Sequence, residues 1–168
     1  QGEVLAIAGV QGNGQTELAR AIMNLEEFVS GSISIEGHEL VGKTVRDSLH
    51  SGIAYVPESR ELDGLISTFT IAENLILDVF DLAPNAKGPM LDLGYVSSNA
   101  EKQVKEFDIR IQSVTDAVSS LSGGNKQKVV LARELSRPVR LLVAAQPTRG
   151  LDVGSIEFVH ERILAERD

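Results

Sequence analysis

Apolar runs that stop abruptly at turn residues divide the chain. Residues 4–8, 53–56 and 140–145 are apolar almost throughout, and the runs stop at glycine, proline or glutamine-proline. Runs this short and this apolar predict strands buried on both faces, as in a parallel sheet. Residues 32–36 instead alternate between polar residues and isoleucine, which predicts a half-exposed strand.

Helical spacing fills most of the chain between these runs. Apolar residues recur at helical intervals after Gln15, residues 98–101 have the form of a capping box, and residues 122–124 begin a later helix. Strands that alternate with helices indicate an α/β fold with a mainly parallel core. Both ends look cut, so we expect a piece of a larger protein. The predicted helices cover about 15–25, 45–51, 70–80, 98–107, 122–135 and 156–164, and Pro84, Gly88 and Pro89 predict a loop.

The composition excludes several classes of function. The 168 residues match the length of one domain. The chain has no cysteine, which excludes disulfides, thiolate zinc sites and thiol nucleophiles and favours a reducing compartment. A net charge of -8 has the wrong sign for binding nucleic-acid phosphates. No apolar run reaches the roughly 18 residues that a membrane span needs.

Residues 9–16 have the spacing of a phosphate-binding P-loop, G-x-x-x-x-G-K-[ST], between a predicted strand and a predicted helix. Such a loop cradles phosphate oxygens with backbone N–H groups, and Thr16 would place its hydroxyl on Mg²⁺. Gln15 occupies the lysine position, which predicts weaker nucleotide binding because a positive charge is lost. An ordinary glycine-rich turn is the alternative. The candidate nucleotide-binding residues are Gly9, Gln11, Gly12, Asn13, Gly14, Gln15 and Thr16.

A second motif, Leu-Ser-Gly-Gly-Asn-Lys-Gln at residues 121–127, also opens a predicted helix. It resembles the LSGGQ signature of ATP-binding cassette (ABC) proteins. A serine and free N–H groups at a helix start suit an anionic γ-phosphate, which makes Ser122, Gly123 and Gly124 candidate nucleotide contacts. The alternative is a serine N-cap followed by a glycine turn.

Residues 141–152 resemble the Walker B strand and D-loop of the same family, in which an apolar run precedes Asp-Glu-Pro-Thr. Ala145 stands where the family has its metal-binding aspartate, and Gln146 stands at the position of the general base. The resemblance therefore implies a degenerate catalytic site. Asp152 of the D-loop is retained.

Glu58 stands where ABC proteins have a glutamine that contacts the metal and the transport subunit. The residues that follow, 59–65, resemble a variant loop in the second cassette of sugar and nucleoside importers. A solvated charged loop is the alternative.

The resemblance covers essentially the whole chain and implies an ABC nucleotide-binding domain, with its core at about 1–68 and 121–168 and a helical subdomain at about 69–120. It implies ATP and Mg²⁺ as cofactors, a second cassette and transmembrane permease subunits as partners, no nucleic acid, and a peripheral position on the cytoplasmic face of the cell membrane. We expect an importer of nucleosides or simple sugars whose signature motif serves the partner cassette. A non-transport ABC ATPase and a structural cassette without nucleotide turnover remain as alternatives.

Overall fold

The computed structural model describes residues 2–27 and 30–167. Helices and short strands alternate along it, as predicted. No helix in these two ranges is long and apolar enough to cross a membrane. The elements are α1 (Gln15–Ile22), β1 (Ser34–Ile35), β2 (His38–Glu39), α2 (Val45–His50), β3 (Ile53–Val56), a π-helical turn (Arg60–Gly64), α3 (Ile71–Leu75), β4 (Ala86–Lys87), β5 (Met90–Leu91), α4 (Leu93–Glu106), a 3₁₀ turn (Val118–Ser120), α5 (Gly123–Leu135), β6 (Leu141–Ala144) and α6 (Val153–Arg167).

Strands β3 and β6 form a parallel pair, so their carboxyl ends, at Val56 and Ala144, lie side by side. Ile53 lies opposite Leu141, and Val56 lies opposite Ala144. The prediction for residues 53–56 is confirmed, and the strand at 140–145 is one residue shorter at each end. Because parallel strands end at the same edge, the loops that begin at Pro57 and Ala145 leave the sheet together.

Residues 4–8 do not form the strand that their apolar pattern predicts. Their side chains are exposed, with Leu5 at 78%. A strand requires a hydrogen-bonded neighbour, and none of the described residues pairs with this segment. The predicted strand at 32–36 is confirmed only at Ser34–Ile35, which turns through Glu36 and Gly37 to pair with β2.

The bounds of α3 and α4 differ most from the prediction, while α1 ends at Ile22 and α6 extends over Val153–Arg167. α3 begins at a capping box formed by Thr70 and Glu73 but ends at Leu75, because the N–H groups of Ile76 and Val79 donate to carbonyls three residues earlier and continue the chain as turns. The N-cap of α4 is Asp92, six positions before the predicted Ser98.

The loop predicted around Pro84, Gly88 and Pro89 contains a small hairpin, β4 and β5, which turns at Gly88 (φ +64°). Ser98 lies inside α4, where its hydroxyl donates to the carbonyl of Tyr95.

The main hydrophobic core is built around α5. Val129, Val130 and Leu131 are fully buried, and they pack with α3, α4 and β3. A smaller cluster around Met23 and Ile53 lies on the other side of the strand pair. α5 therefore joins the helical region to the sheet.

Buried charges reinforce the junction between α5 and β3. Glu134 accepts a hydrogen bond from the backbone N–H of Tyr55 at 3.0 Å, and Arg137 donates to the carbonyl of Ile53 at 2.7 Å. Arg137 also pairs with Asp78 at 3.0 Å and with Glu134 at 3.2 Å. These bonds fix α5 against the strand that leads to Glu58.

Candidate functional site

The glycine-rich loop at residues 9–14 leads directly into α1, as predicted. Gly12 and Gly14 have φ values of +89° and +96°, which residues with side chains rarely adopt. No atom lies within 4 Å of the position that a Cβ would take at either residue. Gly14 is the N-cap of α1 and offers no side-chain acceptor, which leaves first-turn N–H groups available to an anion.

The side chain of Gln15 folds back over this loop. Its Nε2 lies only 1.8 Å from the place that a Cβ would occupy on Gly9, so only glycine fits there without a shift of Gln15. The N–H of Asn13 donates to the carbonyl of Val10 at 3.2 Å and closes the turn that contains Gln11. A neutral amide therefore rests against the loop where a P-loop lysine would bring a charge.

Thr16 and Glu58 come together beside the loop. The hydroxyl of Thr16 donates to Oε2 of Glu58 at 3.3 Å. The other carboxylate oxygen, Oε1, pairs with the guanidinium of Arg149. The side chain of Glu58 is only 18% exposed, so the pair is partly shielded from water. A hydroxyl and a carboxylate at this distance are oxygen ligands of the kind that Mg²⁺ takes from a protein when nucleotide phosphates supply the rest.

Arg60 belongs to the loop after β3, and its side chain reaches both the loop after β6 and the signature turn. Its Nη1 donates to the carbonyl of Arg149 at 3.0 Å. Its Nη2 lies 2.9 Å from the position of a Cβ on Gly123. Lys126 of α5 pairs with Glu61 at 2.9 Å and holds the same π-helical turn against the signature helix.

No sequence motif pointed to Arg60 or Arg149. Both lie within motif segments, residues 59–65 and 141–152, but their contacts depend on strand pairing that brings distant residues together. The signal that could have found them is the presence of opposite charges just beyond the ends of two predicted parallel strands.

The signature residues begin α5, as predicted. Ser122 is the N-cap, and its hydroxyl accepts from the side-chain amide of Asn125 at 3.2 Å and from its backbone N–H at 3.4 Å. Gly124 is buried, and a Cβ there would lie 2.3 Å from Oγ of Ser155. The signature turn is thus closely packed against the start of α6.

Asp152 caps α6. Its carboxylate accepts from the hydroxyl of Ser155 at 2.7 Å and from the backbone N–H of the same residue at 3.0 Å. These two bonds, the hydroxyl first, hold the pKa of Asp152 below its usual value. Asp152 and Gly124 therefore meet at one residue, Ser155.

Ala145 and Gln146 follow β6. The N–H of Ala145 donates to the carbonyl of Val56 at 2.9 Å and extends the strand pairing. Gln146 has a left-handed backbone, with φ of +48°. Within residues 2–27 and 30–167 no hydrogen bond joins Thr16 to Ser122 or Asp152, and no cluster of three or more acidic or histidine side chains could hold a metal. The candidate residues thus form two groups, one around the glycine-rich loop and one around the signature.

Comparison with known proteins identifies the family. The ABC transporter family model matches residues 1–149. The chain belongs to the ABC transporter family. The resemblance stated from the sequence is therefore confirmed. This cassette also resembles a solved dimeric ATP-binding cassette, MJ0796, bound to ADP and phosphate. The TM-score is 0.72 over 92% of this chain and 65% of that one, at 22% identity, which confirms the predicted fold class.

Three curated relatives share higher identity with the cassette. They are the nucleoside import ATP-binding protein NupA of Lactococcus lactis subsp. cremoris (42% identical), the guanosine import ATP-binding protein NupO of Bacillus subtilis (41%) and the glucose import ATP-binding protein TsgD13 of Haloferax volcanii (43%). Each alignment covers 99% of this chain. The chain spans about a third of each relative's length, at 31–33%.

Proposed function

We propose that this chain is an ATP-binding domain of an importer for a nucleoside or a simple sugar, with a degenerate site of its own and a signature that serves a partner cassette. The three relatives are named for nucleoside, guanosine and glucose import, which supports the solute class. One contrast supports unequal roles for the two cassettes. The chain's own catalytic positions, Ala145 and Gln146, lack carboxylates, whereas the signature and D-loop residues are retained, namely Ser122, Gly123, Gly124 and Asp152.

At the chain's own site, the backbone of residues 9–14 holds the nucleotide phosphates. Thr16 and Glu58, already 3.3 Å apart, hold Mg²⁺. The ion, when bound, supplies charge neutralisation at the phosphates. The neutral Gln15 adds no charge, so affinity is weaker than in a loop with lysine.

Hydrolysis at this site is slow or absent. An amide at position 146 cannot accept a proton from the attacking water, and a missing general base typically costs about 10²–10⁴-fold in rate. Ala145 contributes no ligand to the metal. Nucleotide bound here is therefore retained rather than turned over.

The signature acts on a nucleotide held by the partner cassette. Ser122 and the N–H groups of Gly123 and Gly124 lie at the start of α5, where the helix dipole favours phosphate. Asp152 stabilises the start of α6, against which Gly124 packs. The loop that contains Glu58 contacts the permease, which keeps the cassette on the cytoplasmic face of the membrane. We place the core at about 1–68 and 121–168 and the helical subdomain at about 69–120.

The test compares Ser122→Arg with Gln15→Ala in the complete reconstituted transporter. Losing one donor to the transition state costs about 10²–10³-fold in rate, so Ser122→Arg should abolish most ATP hydrolysis and transport. Gln15→Ala should have a much smaller effect. Equal losses, or a larger loss for Gln15→Ala, would refute the asymmetric assignment.

Ser122 also caps α5, so a matched control is needed for lost stability. Asp92→Ala removes the N-cap of another helix, α4, which contains no signature residue, and should leave hydrolysis intact. Calorimetric titration with ATP separates this proposal from a structural cassette, which would bind no nucleotide at either site.

A further inference from the structure

The glycine-rich loop contains no positive charge of its own for nucleotide phosphates. Residues 9–16 include no lysine or arginine, and Gln15 occupies the lysine position. Charge-assisted hydrogen bonds from arginine or lysine are the strong ones in phosphate recognition. Arg20, the next basic residue along the chain, lies in the last turn of α1 and pairs with Glu26 at 2.7 Å. A compensating charge would have to come from another part of the chain.

Arg149 brings a guanidinium to the side of this loop. It pairs with Oε1 of Glu58, and the other oxygen of the same carboxylate accepts a hydrogen bond from the hydroxyl of Thr16 at 3.3 Å. A single carboxylate group therefore separates the guanidinium from the first turn of α1. The approach follows from the parallel pairing of β3 and β6, because Glu58 and Arg149 lie in loops that leave the same edge of the sheet.

The backbone of Arg149 is held in place, while its side chain is able to change partners. Its N–H donates to the carbonyl of Gln146 at 3.0 Å, and its own carbonyl accepts from Arg60 at 3.0 Å. The side chain of Arg149 is 54% exposed. An ion pair that reaches the solvent contributes little to stability, so exchanging the carboxylate for a phosphate involves no large loss.

Arg60, the other arginine in the two loops, is directed elsewhere. Its Nη1 donates to the carbonyl of Arg149, and its Nη2 lies 2.9 Å from the position of a Cβ on Gly123, in the signature turn. Of the two cations, Arg149 is the one beside Thr16. We infer that Arg149 binds the phosphates of the nucleotide held by the glycine-rich loop and supplies the charge that Gln15 lacks.

This inference rests on the proposed function, because it requires that the chain's own loop holds nucleotide. It adds a phosphate-binding residue from outside the motif positions of the P-loop. Arg149 exchanges Glu58 for phosphate when nucleotide binds, which leaves the carboxylate of Glu58 available to Mg²⁺. Since Mg²⁺ also neutralises phosphates, the contribution of Arg149 should be largest when the metal is removed by a chelator.

Hydrogen exchange of residues 10–22 in the complete protein, followed as ATP is added, measures binding at this loop even where another cassette also holds nucleotide. The titration is run once with EDTA and once with Mg²⁺. Arg149→Met should lower the affinity at least tenfold in EDTA, because it removes a charge-assisted hydrogen bond, and by less in Mg²⁺. Arg149→Lys keeps the charge and should recover part of the loss.

Arg140→Met is the matched control. Arg140 also pairs with a glutamate, Glu36, and its side chain is 53% exposed, but it precedes β6 whereas Arg149 follows that strand. The control makes the same change in net charge and should leave the ATP affinity of the loop unchanged.

A second comparison separates phosphate binding from simple screening of Glu58. Arg149→Met alone leaves the carboxylate of Glu58 without its partner, and that charge would repel phosphate. Glu58→Gln removes this repulsion. If Arg149 contacts phosphate, adding Arg149→Met to Glu58→Gln should still lower the ATP affinity at least tenfold in EDTA.

Two results would overturn this inference alone. One is an ATP affinity of Arg149→Met in EDTA that equals the affinity of the unmodified protein. The other is equal affinities of Glu58→Gln with and without the Arg149 substitution. If residues 10–22 of the unmodified protein gained no protection at any ATP concentration, the proposed function would fail as well.

Discussion

Replacement of Arg137 by methionine should destabilise the cassette strongly. Arg137 pairs with two buried carboxylates, Asp78 and Glu134, and methionine keeps most of the side-chain volume while removing the charge. Removing one partner of a buried ion pair typically costs about 3–5 kcal/mol. Glu134 keeps Arg133 at 2.9 Å, so we expect the lower end of this range. At about 2–4 °C per kcal/mol for a domain of this size, the melting temperature should fall by about 6–12 °C.

The loss of stability in Arg137→Met should also depend on pH. Burial, with a further contribution from the charge of Glu134, raises the pKa of Asp78. Between the usual aspartate pKa and the raised one, the folded protein binds more proton at Asp78 than the unfolded chain does, so stability falls as pH rises through that range. Arg137 opposes this shift. Its removal raises the pKa further, so the difference from the unmodified protein should shrink when pH is lowered from 7 to 5.

Arg140→Met is the matched control for this experiment. Arg140 pairs with Glu36 at 2.6 Å, but the two side chains are 53% and 60% exposed. An exposed pair contributes about 0–1 kcal/mol, so this variant should melt within a few degrees of the unmodified protein at every pH. Thermal unfolding followed by circular dichroism measures both variants. Similar small losses in the two, or a deficit of Arg137→Met that does not change with pH, would show that the buried pair does not contribute as argued.

Two further predictions concern the site. Gly124→Ala should cost about 1–3 kcal/mol by overpacking, since the new Cβ would lie 2.3 Å from Oγ of Ser155, whereas Gly94→Ala in α4 meets only ordinary contacts and should leave the melting temperature unchanged or higher. An unchanged melting temperature for Gly124→Ala would contradict the close packing. Gln15→Lys should tighten ATP binding in the complete protein, measured by calorimetry, without restoring hydrolysis because Ala145 and Gln146 still lack carboxylates. Robust turnover in this variant would show that the Walker B assignment is wrong.

Local signals predicted the elements that local residues determine. The bounds of β3, the start of α1 and the start of α5 at residues 122–124 all follow from short-range patterns, and the structure confirms them. The start of α4 was wrong because two capping signals compete, and Asp92, placed by the hairpin before it, caps the helix instead of Ser98.

Non-local contacts determine the features that the local patterns did not predict. Residues 4–8 have the composition of a buried strand, but composition cannot supply a neighbouring strand. The roles of Glu58, Arg60 and Arg149 depend on the parallel register of β3 and β6, which no periodicity in the sequence specifies. The sequence therefore predicted which loops lie at the candidate site better than which side chains meet there.

The contact between Gly124 and Ser155 has a consequence for sequence variation. A larger residue at position 124 requires the hydroxyl of Ser155 to move away or to be absent. The carboxylate of Asp152 would then lose the shorter of its two hydrogen bonds to residue 155 and keep the one to the backbone N–H. Among close relatives, positions 124 and 155 should therefore change together. A glycine that is retained at 124 is explained by the close packing of α6 as well as by any contact with nucleotide.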